Sequence, residues 1–132
     1  MKILLDTHVW LWMLAAPERL GRAAPMLEEA RNELLLSAAS VWEIAIKTAL
    51  GRLELPVPVA RYVPDRMRRS GVVSLPIESA HALAVADLPP LHRDPFDRML
   101  VAQAQHLGVP IATADPLVAA YDVEVLEVGV RR

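Results

Sequence analysis

Short apolar runs alternate along the chain with longer segments that carry the periodicity of a helix. The runs predicted as strands are KILL ahead of Asp6, ELLLS, VVSLP, VPIAT and VEVLEV. The segments predicted as helices are HVWLWMLAA, PERLGRAAPMLEEARN with a break near Pro25, SAASVWEIAIKTAL, RYVPDRMRRS, ESAHALAVADL, Pro95 to about Leu107, and PLVAAY. Continuous apolar strands that alternate with helices are typical of a parallel sheet covered on both faces. The pattern therefore predicts a three-layer α/β/α sandwich around a central, mainly parallel sheet.

The composition agrees with one globular domain. A chain of 132 residues, 54% hydrophobic and 23% charged, has enough apolar material for a single core, so we predict one domain over residues 1–132. The absence of cysteine excludes disulfides, thiolate metal sites and thiol nucleophiles. The N-terminal apolar run is too short for a signal peptide, and no run is long enough to span a membrane. We therefore expect a cytoplasmic protein without a membrane partner.

The net charge of −2 argues against a surface coated in positive charge. It does not exclude a nucleic-acid partner, because a local basic patch can coexist with acidic surface elsewhere. The densest basic cluster is RMRR, from Arg66 to Arg69. We predict that this cluster is a solvated helix face rather than a binding site.

Two aspartates lie where predicted strands end. Asp6 follows KILL, and Asp115 comes two residues after VPIAT. Because functional groups collect beyond the carboxyl ends of parallel strands, the two carboxylates would share one edge of the sheet. Each also has a simpler interpretation as a helix N-cap, Asp6 before a helix near Thr7 and Asp115 before Pro116. The sequence leaves both interpretations open.

A third acid, Glu43, lies inside a predicted helix. Projected as a helix, it falls at the border of an apolar stripe. The stripe consists of Ala38, Val41, Trp42, Ala45, Ile46 and Ala49. At such a border a carboxylate can face a cleft beside the core. The alternative is an ion pair with Lys47 at i+4, which would stabilise the helix by a few tenths of a kcal/mol.

The segment HRDPFDRMLVAQA joins a charged start to an apolar helix. Asp94 before Pro95 fits an N-cap with proline at N1, which puts Asp97 at N3, where the acid of a capping box reaches back. A helix start thus accounts for both aspartates. It does not account for Arg93 and Arg98, which flank the first-turn acid ahead of the apolar run.

Four acids from four segments, if gathered, would not all stay ionised unaided, because like charges in a partly desolvated site raise one another's pKa. A hard divalent cation would resolve that repulsion. Oxygen ligands without cysteine favour Mg²⁺ or Mn²⁺ over zinc. The histidines lack the spacing of a His-based metal motif, so we predict structural or surface roles for them. They are His8, His81, His92 and His106.

Four strings resemble a PIN-domain protein and, within that family, the VapC-type toxins of bacterial toxin–antitoxin pairs. They are LLDTHVWLW, SAASVWEIAIK followed by GRLEL, HRDPFDRMLVAQA, and IATAD, in this order along essentially the whole chain. The resemblance implies an α/β/α fold and a Mg²⁺-dependent endoribonuclease, with Mn²⁺ as a substitute and tRNA or rRNA as substrate. It assigns catalysis and metal binding to four acids, Asp6, Glu43, Asp97 and Asp115. Asp97 is preferred to Asp94 because the family's acid stands just ahead of an apolar run, here MLVA.

The same resemblance implies supporting residues. Thr7 and Thr113 match hydroxyl positions that support the metal site, although a helix cap and a strand end explain them equally well. Arg93 and Arg98 would hold RNA phosphates, since guanidinium binds phosphate through two parallel hydrogen bonds. Alternatively, these arginines would pair with nearby acids.

The resemblance also implies protein partners. Family members usually form homodimers and are inhibited by a small antitoxin protein, so we expect both partners here. Trp10, Trp12 and Met13 are candidates for an exposed apolar contact surface, with a core position expected for at least one tryptophan.

Two other functions compete with a ribonuclease. The first is a catalytically silent PIN-fold module that binds RNA or protein, and the presence of all four acids argues against it. The second is a phosphotransfer domain of the receiver type. That domain needs a pair of acids near the first strand, and KILLDTHVW lacks the pair.

Overall fold

Five short strands form one sheet in the computed structural model of the chain, which describes residues 1–129. The strands are β1 (Lys2–Leu5), β2 (Glu33–Ser37), β3 (Val73–Leu75), β4 (Ile111–Thr113) and β5 (Val125–Glu127). Their order across the sheet is β3-β2-β1-β4-β5, and every neighbouring pair is parallel. The five predicted strands and the parallel sheet are therefore confirmed.

Seven α-helices accompany these strands in the described part of the chain. They are α1 (Thr7–Ala15), α2 (Ala24–Glu28), α3 (Ala38–Ala49), α4 (Val59–Ser70), α5 (Ser79–Ala84), α6 (Pro95–Leu107) and α7 (Pro116–Ala119). The predicted bounds of α6 are confirmed, because Asp94 caps its start and Gly108, at φ 67°, ends it in the left-handed conformation. Among the helices of residues 1–129, none is both long enough and apolar enough to cross a membrane.

Two predicted helices are divided. PERLGRAAPMLEEARN forms a 3₁₀ turn, Pro17–Leu20, and then α2, with the break at Gly21 and a new start that places Pro25 in the first turn. This agrees with the break expected near Pro25. ESAHALAVADL was expected to be one helix, and that is wrong. It forms α5 and then a 3₁₀ turn, Val85–Asp87.

The sheet lies between two apolar layers. The pleat of β1 directs Ile3 and Leu5 to one face and Leu4 to the other. Buried side chains of α1, α2 and α4 cover the first face, namely Val9, Trp10, Leu27, Tyr62 and Val63. Buried side chains of α6 and α7 cover the second face, namely Leu100, Val101, Ala102, Ala104 and Val118. The predicted three-layer α/β/α sandwich is therefore confirmed.

The strand order brings the carboxyl ends of β1 and β4 together. Leu5 is in register with Ala112, so the residues that follow, Asp6 and Thr113, lie at the same edge of the sheet. From β1 the chain continues to β2 on one side, whereas β4 and β5 lie on the other side. A crevice at such a switch point is where open parallel sheets usually bind their ligands.

Candidate active site

Asp6 and Thr113 meet where β1 and β4 end. Asp6 is 4% exposed, and its Oδ2 accepts a 2.7 Å hydrogen bond from Oγ1 of Thr113. Its Oδ1 accepts from the backbone N–H of His8 at 3.4 Å and so caps α1. Burial raises the pKa of Asp6, and the hydrogen bond from Thr113 acts in the opposite direction. Asp6 therefore caps a helix and also places a desolvated carboxylate at the edge of the sheet.

Asp115 divides its carboxylate oxygens between a helix start and the crevice. Oδ1 accepts from the backbone N–H of Leu117 at 2.9 Å and caps α7, as the sequence indicated. Oδ2 lies 3.0 Å from Nε2 of His92. The backbone N–H of Asp115 donates to Oγ1 of Thr113 at 3.0 Å. Thr113 therefore connects Asp115 with Asp6.

Asp94 and Asp97 have different roles at the start of α6. Oδ1 of Asp94 accepts from the backbone N–H groups of Phe96 and Asp97, at 2.8 and 3.1 Å, which makes Asp94 the N-cap. The expected capping box is wrong, because the backbone N–H of Asp94 donates to Nδ1 of His92 at 3.3 Å. Oδ2 of Asp97 lies 2.9 Å from Nε2 of the same histidine. The cap of α6 thereby leaves the Asp97 carboxylate facing the crevice.

The surroundings of Asp97 raise the pKa of its carboxyl to about 7. Burial is the largest cause, followed by the negative charges of Asp6, Asp94 and Glu43, while His92 acts in the opposite direction. Burial, and to a lesser degree the charge of Glu43, also raises the pKa of Asp6. These carboxylates repel one another near neutral pH, so the site favours a proton or a bound cation.

Glu43 approaches this group from α3. It is 2% exposed, and Nζ of Lys47 lies 2.5 Å from its Oε2, which is the i+4 ion pair that the sequence allowed. Oε1 of Glu43 is buried and has no hydrogen-bond partner among residues 1–129. A buried oxygen without a donor is uncommon in folded proteins and calls for a physical explanation. The ion pair with Lys47 thus uses one oxygen of Glu43 and leaves the other without a hydrogen-bond partner among residues 1–129.

Three of the four predicted acids line one cavity of about 330 Å³, namely Asp6, Asp97 and Asp115. Glu43 lines a second cavity of about 330 Å³ together with Thr7 and Lys47. The two cavities are neighbours, because His8 lines both. The fold therefore brings four acids from four segments of the sequence to one edge of the sheet.

Thr7 connects the first helix to the helix of Glu43. Its Oγ1 donates a 2.8 Å hydrogen bond to Oγ of Ser40, and both residues are buried. Ser40 lies one turn ahead of Glu43 on α3. The bond therefore holds the start of α1, where Asp6 lies, against the helix that carries Glu43.

Comparison with known proteins identifies the family. Residues 3–124 match the family model for the PIN domain. This chain belongs to the PIN domain family. It is 34% identical to Ribonuclease VapC22 of Mycobacterium tuberculosis over 113 residues. This match covers 86% of each chain. It is 48% identical over 66 residues to Ribonuclease VapC16 of the same organism, a match that spans 50% of this chain and 47% of that protein.

A solved structure has the same fold as this PIN domain. It is VapBC2 from Rickettsia felis bound to a DNA fragment from their promoter, with a TM-score of 0.71. The sequence identity is 9%, and the match covers 96% of this chain and 98% of that chain. This structure shows the fold, and the two VapC relatives confirm the predicted resemblance to the VapC-type members of the family.

The side chains at the edge of this PIN domain fit a hard divalent cation. Asp97 and Asp115 each offer a carboxylate oxygen that lies within 4.8 Å of the other and of a ring nitrogen of His92. The buried Oε1 of Glu43, which has no hydrogen-bond partner among residues 1–129, and the mutual repulsion of the carboxylates both favour a positive charge at this edge. A donor set dominated by carboxylate oxygen is the chemistry that Mg²⁺ and Mn²⁺ prefer.

His92 belongs to the site, although its spacing to the other histidines predicted a structural or surface role. Its Nε2 lies within hydrogen-bond distance of both Asp97 and Asp115. The signal in the sequence was a different one, namely its position two residues ahead of the N-cap Asp94. A residue in the loop that enters α6 reaches the same edge of the sheet as the first-turn acid.

Arg98 of the PIN domain is occupied by the protein itself. Its Nη1 donates to the carbonyl of Pro89 and to the hydroxyl of Tyr121, both at 3.1 Å. Its Nη2 donates to the carbonyls of Val85 and Leu88, at 3.1 and 3.4 Å. Both terminal nitrogens are thus committed to the loop that precedes α6. This geometry therefore supports neither of the two partners expected for Arg98, an RNA phosphate or a nearby acid.

Arg93 is exposed and makes no hydrogen bond or ion pair with residues 1–129.

The arginine cluster of α4 surrounds Asp65, which pairs with Arg66, Arg68 and Arg69. This cluster lies towards the end of α4, which leads into the start of β3. It is therefore at the amino edge of the sheet, opposite the acids. The side chains of Arg68 and Arg69 are 73% and 71% exposed, as expected of a solvated helix face.

The expected apolar contact residues differ in burial. Trp10 is fully buried, which confirms the core position expected for one tryptophan. Trp12 and Met13 are half-buried. Trp42 is 59% exposed and makes an edge contact with the ring of Phe96, with centroids 5.1 Å apart. The exposed aromatic surface of the PIN domain therefore lies at Trp42, which immediately precedes Glu43.

Proposed function

We propose that this PIN domain is a metal-dependent endoribonuclease that acts as the toxin of a toxin–antitoxin pair. Two relatives are named as VapC ribonucleases, and a VapBC structure shares the fold. The observation that carries the proposal is the cluster of acids at the switch point of the sheet. Three of them share one cavity, and Glu43 contributes a buried oxygen that lacks a partner.

We assign metal binding to four acids, Asp6, Glu43, Asp97 and Asp115, with Mg²⁺ as the expected ion and Mn²⁺ as a substitute. When bound, such an ion supplies an activated water and offsets the charge that develops on a phosphodiester. The contribution of the protein is to hold the ligands in fixed positions in a partly dry crevice.

Contacts that involve no metal hold these ligands. Thr113 donates to Asp6, and Lys47 pairs with Glu43. Asp97 has a pKa of about 7 and carries a proton in part of the molecules near neutral pH. Because ligands must be deprotonated, cation binding releases this proton and strengthens as the pH rises.

We assign RNA phosphate binding to Arg93, whose guanidinium is exposed and has no partner among residues 1–129. It lies in the sequence between His92 and Asp94, both of which line the cavity of the acids. Because the whole chain carries a net charge of −2, the attraction to RNA comes from this local positive charge and not from the overall charge of the protein. The substrate class that we propose is structured cytoplasmic RNA, tRNA or rRNA.

We propose two protein partners, a small antitoxin and a second copy of this chain. Both follow from the similarity to VapC-type proteins. Co-expression with the product of an adjacent short reading frame tests the first, since a cognate antitoxin should co-purify and suppress cleavage. Sedimentation of the isolated chain tests the second, since a homodimer has twice the mass of the chain.

Cleavage of structured RNA tests the enzymatic proposal. Wild type is compared with Asp6→Asn and Glu43→Gln, and Asp122→Asn is the control, because Asp122 is exposed and lines a different cavity. We expect Mg²⁺-dependent cleavage by wild type and control, and losses of at least about 100-fold in the two site variants. Site variants that cut like wild type would contradict the assignment. Tight RNA binding without metal-dependent cleavage would favour the silent binding module.

A further inference from the structure

We propose that His92 is a positioning residue that holds Asp97 and Asp115 together by donating its Nε2 proton to their carboxylates, without binding the metal itself. The inference rests on the proposed function, because it concerns the same carboxylates. The side chain of His92 is 13% exposed. Its Nε2 is 2.9 Å from Oδ2 of Asp97 and 3.0 Å from Oδ2 of Asp115. One ring nitrogen therefore contacts acids from two different helix starts.

The other ring nitrogen decides which way the hydrogen bonds run. The backbone N–H of Asp94 points to Nδ1 of His92 at 3.3 Å. A backbone N–H can only donate, so Nδ1 accepts and the neutral ring carries its proton on Nε2. A ring nitrogen that carries a proton has no lone pair to offer a metal ion. His92 therefore faces the two carboxylates as a hydrogen-bond donor and not as a ligand.

The backbone of His92 is fixed by a second set of contacts. Its N–H donates to the hydroxyl of Tyr121 at 3.0 Å. The same hydroxyl accepts from Nη1 of Arg98 at 3.1 Å, and Tyr121 is 5% exposed. Arg98, which also donates to carbonyls of the loop, thus anchors the tyrosine that anchors His92. Both the backbone and the ring of His92 are therefore fixed by contacts within the protein that involve no ligand.

A shared donor has a consequence for the free oxygens of the two acids. With Oδ2 of Asp97 turned to His92, its Oδ1 has no hydrogen bond with residues 1–129. Oδ1 of Asp115 is already used to cap α7. The histidine therefore fixes the orientation of both carboxylates, which is the task of hydrogen-bond partners behind metal ligands. Loss of such a partner typically costs about 10- to 100-fold in metal affinity.

Two variants of His92 distinguish the effect of the N–H donor from the effect of the size of the side chain. His92→Leu removes the N–H, and His92→Gln keeps a side-chain N–H. We expect Mn²⁺ affinity of the full chain, measured by titration with electron paramagnetic resonance, to fall about 10- to 100-fold in the leucine variant. The glutamine variant should recover part of that loss, and Asp122→Asn should match wild type. If His92→Leu bound Mn²⁺ with the same affinity as wild type, the inference would be overturned. Circular dichroism of the same samples verifies that each variant is folded.

Spectroscopy of the histidine distinguishes a donor from a ligand. The ¹⁵N resonances of the metal-free protein should show a protonated Nε2 and an unprotonated Nδ1 for His92. Pulsed electron paramagnetic resonance of the Mn²⁺-bound protein should show no nitrogen coordinated directly to the metal. A coordinated nitrogen that disappears in His92→Leu, or a proton on Nδ1 alone, would overturn the inference.

Asp97→Asn distinguishes failure of this inference from failure of the proposed function. If wild type does not bind Mn²⁺, or if Asp97→Asn binds it equally well, the proposed metal site is wrong and the inference falls with it. If Asp97→Asn loses Mn²⁺ and His92→Leu retains wild-type affinity, only the role of His92 is wrong. Loss of affinity in both variants, with partial recovery in His92→Gln, supports both proposals.

Discussion

Oγ1 of Thr113 and Oδ2 of Asp6 lie 2.7 Å apart, although 107 positions separate the two residues in the sequence. The hydrogen bond joins the ends of β1 and β4 and is buried. Thr113 also accepts from the backbone N–H of Asp115. One hydroxyl therefore sets the position of the acid after the first strand and of the acid after the fourth.

Thr113→Val keeps the shape of the side chain and removes this hydroxyl. We expect the free energy of unfolding to fall by about 1 to 3 kcal/mol, because a buried carboxylate and a backbone N–H both lose a partner. The pKa of Asp6 should rise further, since the bond from Thr113 lowers it. Urea unfolding measures the first effect, and Thr113→Ser, which keeps the hydroxyl, should resemble wild type. A valine variant as stable as wild type would show that the bond contributes nothing.

Asp94→Ala should affect stability more than chemistry. Asp94 accepts from two backbone N–H groups at the start of α6, and loss of an N-cap costs about 1 kcal/mol. Thermal unfolding measures the loss, and RNA cleavage measured below the unfolding temperature should persist. Asp97→Ala should give the reverse pattern, with cleavage abolished. Equal losses of cleavage in the two variants would contradict the division of roles between them.

The raised pKa of Asp97 predicts a pH-dependent stability of the metal-free protein. The folded value is about 7, whereas an unfolded chain has about 4. The folded state holds the proton more tightly, so the contribution of Asp97 to stability is complete below about pH 4 and is lost as the pH rises through about 7. Asp97→Asn should therefore gain stability relative to wild type between about pH 5 and pH 8.

Urea unfolding with chelator at those two pH values measures this gain. Asp122→Asn is the matched control and should show no such change, because its carboxylate is exposed. A difference between Asp97→Asn and wild type that stays constant or shrinks with rising pH would contradict a raised pKa for Asp97.

Lys47→Met should destabilise the fold through Glu43. The variant leaves a buried carboxylate without its cation, and we expect a loss of about 2 kcal/mol. This is less than for a fully buried pair, because the side chain of Lys47 is 33% exposed. In the double variant Lys47→Met with Glu43→Gln, part of the stability should return, since no unpaired charge remains. Additive losses in this cycle would show that the two side chains do not interact.

The sequence predicted the sheet because each strand is a short apolar run between clear boundaries. It also placed Asp6 and Asp115 correctly at strand ends, and Asp94 with Pro95 at the start of α6. In each of the three cases a carboxylate caps a helix, so local chemistry was enough. In Asp6 and Asp115 the cap uses one carboxylate oxygen, and the other contacts Thr113 or His92 at the edge of the sheet.

The contacts that the sequence did not reveal depend on tertiary structure. His92 has no distinctive spacing, and only the crossing of two helix starts brings Asp97 and Asp115 to its ring. Arg98 stands beside an acid in the sequence, but the loop before α6 folds back and offers its carbonyls instead. The partnerless oxygen of Glu43 depends on burial by other segments, which periodicity alone does not report.

The most direct test of the central claim is the rate of RNA cleavage as a function of Mg²⁺ concentration, under single-turnover conditions, for wild type, Asp97→Asn and Asp122→Asn. We expect a rate that saturates with Mg²⁺ and is abolished by chelator for wild type and for the Asp122 variant. Asp97→Asn should be slower by at least about 100-fold at every concentration. Cleavage by Asp97→Asn at the wild-type rate, or wild-type cleavage that persists in chelator, would contradict a metal-dependent nuclease built on these acids.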